Sequence, residues 1–180
     1  MRPLPKILWT GLSLIVIFSV TFFFFYKRAQ TNALPPEPLI LTPAVIGRQL
    51  PEANLVNVSN EKLDDERLRR GKVILTFTLT TCQICGPENE YLKTVADSHK
   101  EIKFFNVIPF GDKDEVLKTA QKNYTFETYY DDGSMLSRSL EIYKVPLLIY
   151  LEDGIIKKTW IEGATVDEPA QAKFKDWLNN

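Results

Sequence analysis

Gly71-Lys72-Val73-Ile74-Leu75-Thr76-Phe77-Thr78-Leu79-Thr80-Thr81-Cys82-Gln83-Ile84-Cys85 runs an apolar segment straight into two cysteines separated by two residues. From Val73 to Thr80 both alternating faces carry β-branched, aromatic or aliphatic side chains, the pattern of a strand buried from two sides. A helix is predicted immediately after. Pro87 suits its first turn, where the missing N–H costs little, and Tyr91, Leu92 and Val95 form its buried stripe. Cys82 therefore stands at a strand end, near a helix N-terminus.

That position bears on sulfur chemistry. Helix amides and the macrodipole stabilise a thiolate at the N-terminal cysteine, which makes Cys82 the nucleophile and leaves Cys85 to attack a mixed disulfide and release the partner. The two are the only cysteines in the chain, and they lie too close together to staple distant parts of a fold. Half a zinc site, a fixed structural disulfide and two inert buried thiols are the competing readings. With His99 the only histidine, a tetrahedral zinc set would need carboxylates or a second chain. The strand-to-helix setting favours reversible exchange, and no cofactor is expected.

Outward from the motif, Ile102–Ile108 reads as a second core strand closed by Pro109 and Gly111, and Asp112 or Asp114 can cap a helix reaching Gln121. This makes a βαβ-like unit. Phe126–Tyr130 is a short strand, Asp131-Asp132-Gly133 a turn, Ser134–Tyr143 a helix and Leu147–Leu151 an apolar strand. Asp153-Gly154 signals a hairpin into Ile155–Trp160, and a last helix from about Asp167 turns Phe174, Trp177 and Leu178 to the sheet. Upstream, Leu55-Val56-Asn57-Val58 is a strand candidate and Glu61–Arg70 a charged turn or helical piece. The class is α/β, a mixed sheet flanked by helices, without internal repeats.

Ile7–Tyr26 is an uncharged run of 20 residues, the length of one membrane-spanning helix. A cleaved signal peptide is its rival, with a shorter apolar region and a small-residue cleavage site that do not match well here. Arg2 and Lys6 balance Lys27 and Arg28 across the run, so charge does not orient it. The expected organisation is an N-terminal anchor (1–28), a proline-rich linker (29–43) and one globular domain (44–180). Acidic and basic residues number 23 and 22, which provides no basic field for nucleic acid.

Gly71-Lys72-Val73-Ile74-Leu75-Thr76-Phe77, Thr81-Cys82-Gln83-Ile84-Cys85, Val145-Pro146 and Asp153-Gly154 together resemble the TlpA/ResA branch of the thioredoxin superfamily over about residues 44–180. The resemblance implies a thioredoxin-like fold and a tethered or secreted thiol-disulfide oxidoreductase outside the cytoplasmic membrane, many such proteins acting in cytochrome c maturation. Its partners would be disulfide-containing or dithiol proteins and an unidentified electron donor. By the same resemblance Pro146 is a cis-proline, Val145 pairs its backbone with a bound substrate segment, and Glu88 assists proton transfer from Cys85. An exposed first-turn glutamate is the other reading of Glu88, and Glu90 is expected to face solvent.

Two departures concern partner choice and potential. Thr81 stands where most relatives carry tryptophan, and Gln83-Ile84 lacks the proline common between the cysteines. The direction of electron flow stays open. Alternatives are an SCO-type copper-binding assembly factor, which uses three residues between its cysteines and a distant histidine, and a non-catalytic thioredoxin-fold binding module. A peroxiredoxin would want a threonine- and proline-containing loop that Cys82 lacks. His99 reads as a surface residue, and the sequons at Asn57 and Asn123 carry no functional weight.

Overall fold

A computed structural model describes residues 45–123, 126–161, 163 and 167–180; the predicted span Ile7–Tyr26 and the linker 29–43 lie outside them. Among the described residues no helix is long and apolar enough to cross a membrane. In chain order the elements are β1 (Leu55–Val56), α1 (Glu66–Arg69), β2 (Lys72–Phe77), α2 (Cys85–Ser98), β3 (Ile102–Ile108) and α3 (Lys113–Asn123). There follow β4 (Glu127–Asp131), α4 (Met135–Ser139), β5 (Leu147–Glu152), β6 (Ile155–Trp160) and α5 (Glu168–Asn179). The strands form one mixed sheet in the order β1-β4-β3-β2-β5-β6.

β2 is central because beyond Lys72 none of its side chains reaches water. Val73, Ile74, Leu75 and Phe77 are all 0 % exposed. Val73, Leu75 and Phe77 pack on one side with Phe105, Leu136, Ile142 and Ile149, while Ile74 packs on the other with Leu92, Val95, Phe104, Leu148 and Phe174. One edge of β2 pairs with β3 in parallel and the other with β5 antiparallel, Phe77 lying opposite both Val107 and Leu147. The far end of β2 is clasped to the β5–β6 hairpin, where the Gly71 N–H donates to Asp153 Oδ1 (2.8 Å) and the Asp153 N–H to the Gly71 carbonyl (2.9 Å). Positive φ at Asp153 (49°) and Gly154 (77°) makes that hairpin the type its strand twist requires.

Several element ends differ from their sequence reading, each for a local reason. β2 stops at Phe77 rather than Thr80: the Thr78 N–H still bonds to Val107, but the Leu79 carbonyl is taken by the Cys82 N–H (3.0 Å) as the chain turns. α2 starts at Cys85, ahead of Pro87. β1 ends at Val56 because Asn57 Oδ1 accepts the N–H groups of Ser59 and Glu61 and bends the chain away, leaving Val58 exposed. The helix expected over Ser134–Tyr143 is only α4. Glu141 turns left-handed (φ 53°), its N–H bonds to Arg138, and the Ile142 N–H bonds to Ser137 (2.8 Å), a Schellman closure that drops Ile142 into the core. Asp131, also fully buried, receives the N–H groups of Leu136 and Ser137 and the Ser137 hydroxyl, holding the start of α4.

Other ends agree with their signals. Asp112 Oδ1 accepts the Glu115 N–H (3.1 Å) at the start of α3, and Asp167 Oδ1 accepts the Ala170 N–H (2.8 Å) at the start of α5. Phe174 then stacks on Trp177 (5.3 Å) and meets Trp160 edge-on (5.5 Å), seating α5 on the sheet. Phe77→Ala removes the largest wholly buried side chain at the end of β2, and urea unfolding should register a loss of roughly 3–5 kcal/mol with little change in slope.

Candidate redox site at the end of β2

The turn after β2 brings Cys82 and Cys85 together in a disulfide with a Cα–Cα distance of 5.4 Å. Backbone bonds shape this loop: Cys82 N–H to Leu79, Cys85 N–H to Cys82 (3.3 Å) and Glu88 N–H to Ile84 (3.2 Å). The two cysteines differ in access. Cys82 is half-buried, whereas Cys85, the first residue of α2, is 0 % exposed. Ile84 occupies the N-cap and offers no accepting side chain, so the positive end of the helix dipole faces the disulfide without a capping oxygen. Chemically, a half-buried sulfur at an electropositive helix end and a sheltered sulfur behind it form a pair that opens and closes with different access for each member.

Topology supplies the rest of the neighbourhood. Because Phe77 is opposite Leu147, the segment leading into β5 emerges at the same end of the sheet as the cysteine loop. The Val145–Pro146 peptide bond there is cis, with Pro146 buried and Val145 packed partly against the core. Thr81, Gln83 and Ile84 are exposed around the cysteines.

Glu88 is 0 % exposed, so the exposed first-turn reading of this glutamate does not hold; Glu90, by contrast, is exposed. The Glu88 carboxylate acts on Tyr91 one turn on: burial pushes the Tyr91 hydroxyl up, and the nearby negative charge of Glu88 pushes it further. Around this first turn the structure gathers polar residues that sequence reasoning missed. Thr76, Thr78 and Asn106 are 0 % exposed, as is Glu88, and Asn89 is 1 % exposed. The Thr78 hydroxyl donates to Asn106 Oδ1 (2.8 Å). Thr76 follows Ile74 on the α2-facing side of β2, Thr78 continues that alternation just past its end, and Asn106 follows Phe104 on the same side of β3. A polar residue at every second position of an otherwise apolar strand was the available signal.

His99 closes the opposite end of α2, half-exposed, with its ring nitrogen 3.4 Å from Glu101; the structure does not bring it to the cysteines. Among the described residues no three or more of His, Cys, Asp and Glu are grouped to hold a metal ion.

No protein-family model matches the chain. It is similar to thiol:disulfide interchange protein DsbE of Yersinia pestis, 28 % identical over 152 residues that cover 79 % of this chain and 78 % of that one. The protein of the same name from Tatumella citrea is 28 % identical over 162 residues, 84 % of this chain and 83 % of the relative. The fold is shared with the thioredoxin domain of a thiol-disulfide oxidoreductase from Bacteroides vulgatus, at TM-score 0.60 and 15 % identity, covering 75 % of this chain and 98 % of that one. It is shared too with a secreted disulfide oxidoreductase of Mycobacterium tuberculosis, at TM-score 0.56 and 14 % identity, covering 69 % and 93 %.

The coupling of Glu88 to Tyr91 is directly measurable. In an ultraviolet pH titration with Tyr91→Phe as the subtraction reference, Glu88→Gln should move the Tyr91 pKa downward while burial keeps it above its ordinary value of about 10. An unmoved titration would mean that the carboxylate carries no charge there.

Proposed function

We infer that this chain, a thioredoxin-like redoxin, is a thiol-disulfide oxidoreductase that reduces disulfides in partner proteins outside the cytoplasm through Cys82 and Cys85. The observation carrying this reading is the disulfide between a half-buried cysteine and a wholly buried one where a core strand meets a helix. In the reduced protein the Cys82 thiolate attacks one sulfur of the partner disulfide; a mixed disulfide forms, and the partner's other sulfur leaves as a thiolate and takes up a proton. Cys85 then loses its proton and attacks Cys82 Sγ, expelling the second partner thiolate, which is protonated in turn. Two electrons have passed to the partner, and the chain is left in the disulfide form. A dithiol donor returns it to the reduced state by the reverse exchange.

Glu88 is the group we assign to receive the Cys85 proton, a role that its burial in the first turn of α2 supports. Val145 is assigned to meet the substrate backbone beside Pro146. The extracytoplasmic setting rests on the resemblance to tethered redoxins, with cytochrome c maturation among the settings that resemblance supplies. Ile7–Tyr26 would be the anchor and 29–43 the spacer to the catalytic domain at 44–180.

The direction of electron flow is decided by the reduction potential of the Cys82/Cys85 couple, measured by equilibrating the protein against thiol-disulfide buffers. A strongly reducing value supports a dedicated reductant, and a much more oxidising one reassigns the chain to disulfide formation. In a trapping experiment the Cys85→Ala variant should accumulate a mixed disulfide through Cys82, with Cys82→Ala accumulating none. If neither variant captures a partner disulfide, the exchange mechanism fails.

A further inference from the structure

Thr76 is 0 % exposed, and its hydroxyl has no hydrogen-bond partner among the described residues. The polar side chains beside it on the sheet are committed elsewhere: the Thr78 hydroxyl donates to Asn106 Oδ1 (2.8 Å), and the Asn106 amide donates to the Thr128 hydroxyl on β4 (3.5 Å). Register decides what lies above Thr76. β2 and β3 are parallel, so α2, which joins them, runs back against both. Leu92 of α2 packs in one cluster with Ile74 of β2. Four residues toward the start of the helix and two toward the end of the strand each advance about 6 Å, which brings Glu88 over Thr76 as Leu92 lies over Ile74. Asn89, the next residue, leaves the helix about 100° further round.

We propose that Thr76 is a positioning residue for the resolving step, its hydroxyl oxygen accepting a hydrogen bond from the Glu88 carboxyl while Glu88 carries the proton taken from Cys85. The inference rests on the oxidoreductase reading and on the role assigned there to Glu88. As Cys85 attacks Cys82, its S–H bond breaks and an O–H bond forms on Glu88. The Cys85–Cys82 bond forms while the bond from Cys82 to the partner breaks, and the partner sulfur leaves with the electron pair. A carboxylate only accepts hydrogen bonds, whereas the acid formed in this step has a donor, which in an interior needs an acceptor. Asn106 Oδ1 already accepts the Thr78 hydroxyl, and Thr76 Oγ1 accepts nothing. A bond to Thr76 favours the protonated carboxyl, and so strengthens Glu88 as the base for a sulfur that water does not reach. Once the disulfide has closed, the proton is lost to solvent and the hydroxyl is left without a partner, as it is in this disulfide form.

Among the described residues, the ionisable groups facing Glu88 are Cys85 and Tyr91 on its own helix. The strands place Thr76, Thr78, Asn106 and Leu148 against it and α5 places Phe174, none of which titrates. Lys175 of α5 opens instead onto the crevice that Thr94, Ser98 and His99 line farther along α2. The neutral hydroxyl of Thr76 is therefore the group on the sheet side that can answer a change of protonation at Glu88.

The test follows the reduced full-length protein as it reacts with dithiobis-nitrobenzoate, which releases one coloured thiolate when Cys82 attacks and a second when Cys85 resolves. In the wild type the second rate should fall away on the acid side, where Glu88 no longer accepts a proton. Thr76→Val keeps the shape of the side chain and removes its hydroxyl. Losing a bond to the protonated form makes Glu88 release its proton more readily, so the acid limb of the second rate should move down by about one pH unit, with the first rate unchanged. Thr76→Ser should restore the wild-type profile. Urea unfolding of the oxidised Thr76→Val protein should be level with wild type or better, because the hydroxyl it deletes makes no bond in that form. Thr78→Val, which breaks the bond to Asn106, should lower the urea midpoint and leave the limb in place. A limb that stays or moves up in Thr76→Val, an equal shift in Thr78→Val, or no restoration by serine would overturn the assignment of Thr76. So would a limb that survives in Glu88→Gln, since Glu88 would then not be the base. A wild-type protein that releases the first thiolate and never the second would sink the oxidoreductase reading itself, a result distinct from any of these.

Discussion

The ladders on both edges of β2 place everything else. Its residues from Val73 to Phe77 are buried on both faces, so the strand must lie in the middle of the sheet with layers above and below. Pairing Phe77 with Val107 on one side and Leu147 on the other then leaves little freedom at its end. The cysteine loop, the turn after β3 and the Val145–Pro146 segment are brought to one edge by register alone. A one-residue slip in the antiparallel pairing would turn the apolar residues of β5 to the wrong faces and displace that segment from the cysteines.

From this placement the two cysteines acquire different surroundings without any dedicated device. Cys85 is the first residue of a helix whose stripe of Leu92 and Val95 sits on Ile74, so it is drawn under the helix, while Cys82, three residues earlier, stays in the turn and half open. Glu88 lies one turn along the same buried face as Cys85. The polar group of Thr76, Thr78 and Asn106 occupies the sheet side of that interface, where the preceding strand positions are apolar. Within it the Thr78 hydroxyl bonds to Asn106, while the equally buried Thr76 hydroxyl has no hydrogen-bond partner among the described residues.

Much of this was legible beforehand. β3 and β6 fall on the residues their patterns marked, Asp112 and Asp167 cap the helices they precede, and the cysteine pair stands between strand and helix as its spacing suggested. What escaped was decided by tertiary context. The short α4 is ended by a left-handed glutamate, Glu141, a conformation no side-chain periodicity advertises, adopted because it buries Ile142. β1 is cut off by a side-chain turn at Asn57. The burial of Glu88 was invisible for a related reason: charge in a helix's first turn signals an exposed face or a functional interior equally well, and only the packing of α2 on β2 separates them.

The clasp at the hairpin has a consequence for how such a protein can change. Gly154 takes positive φ with the Arg69 Cα and Cγ atoms each 3.3 Å from where a Cβ would stand, and Gly71 and Asp153 exchange hydrogen bonds, so a replacement at that end strains the fold. At the opposite end, Thr81, Gln83, Ile84 and Tyr143 project into water, where exchanging them disturbs little packing. Lineages carrying this architecture are therefore free to vary the side chains around the cysteines while their scaffold stays nearly immobile. Substitutions at one rim of the sheet need no compensating change at the other.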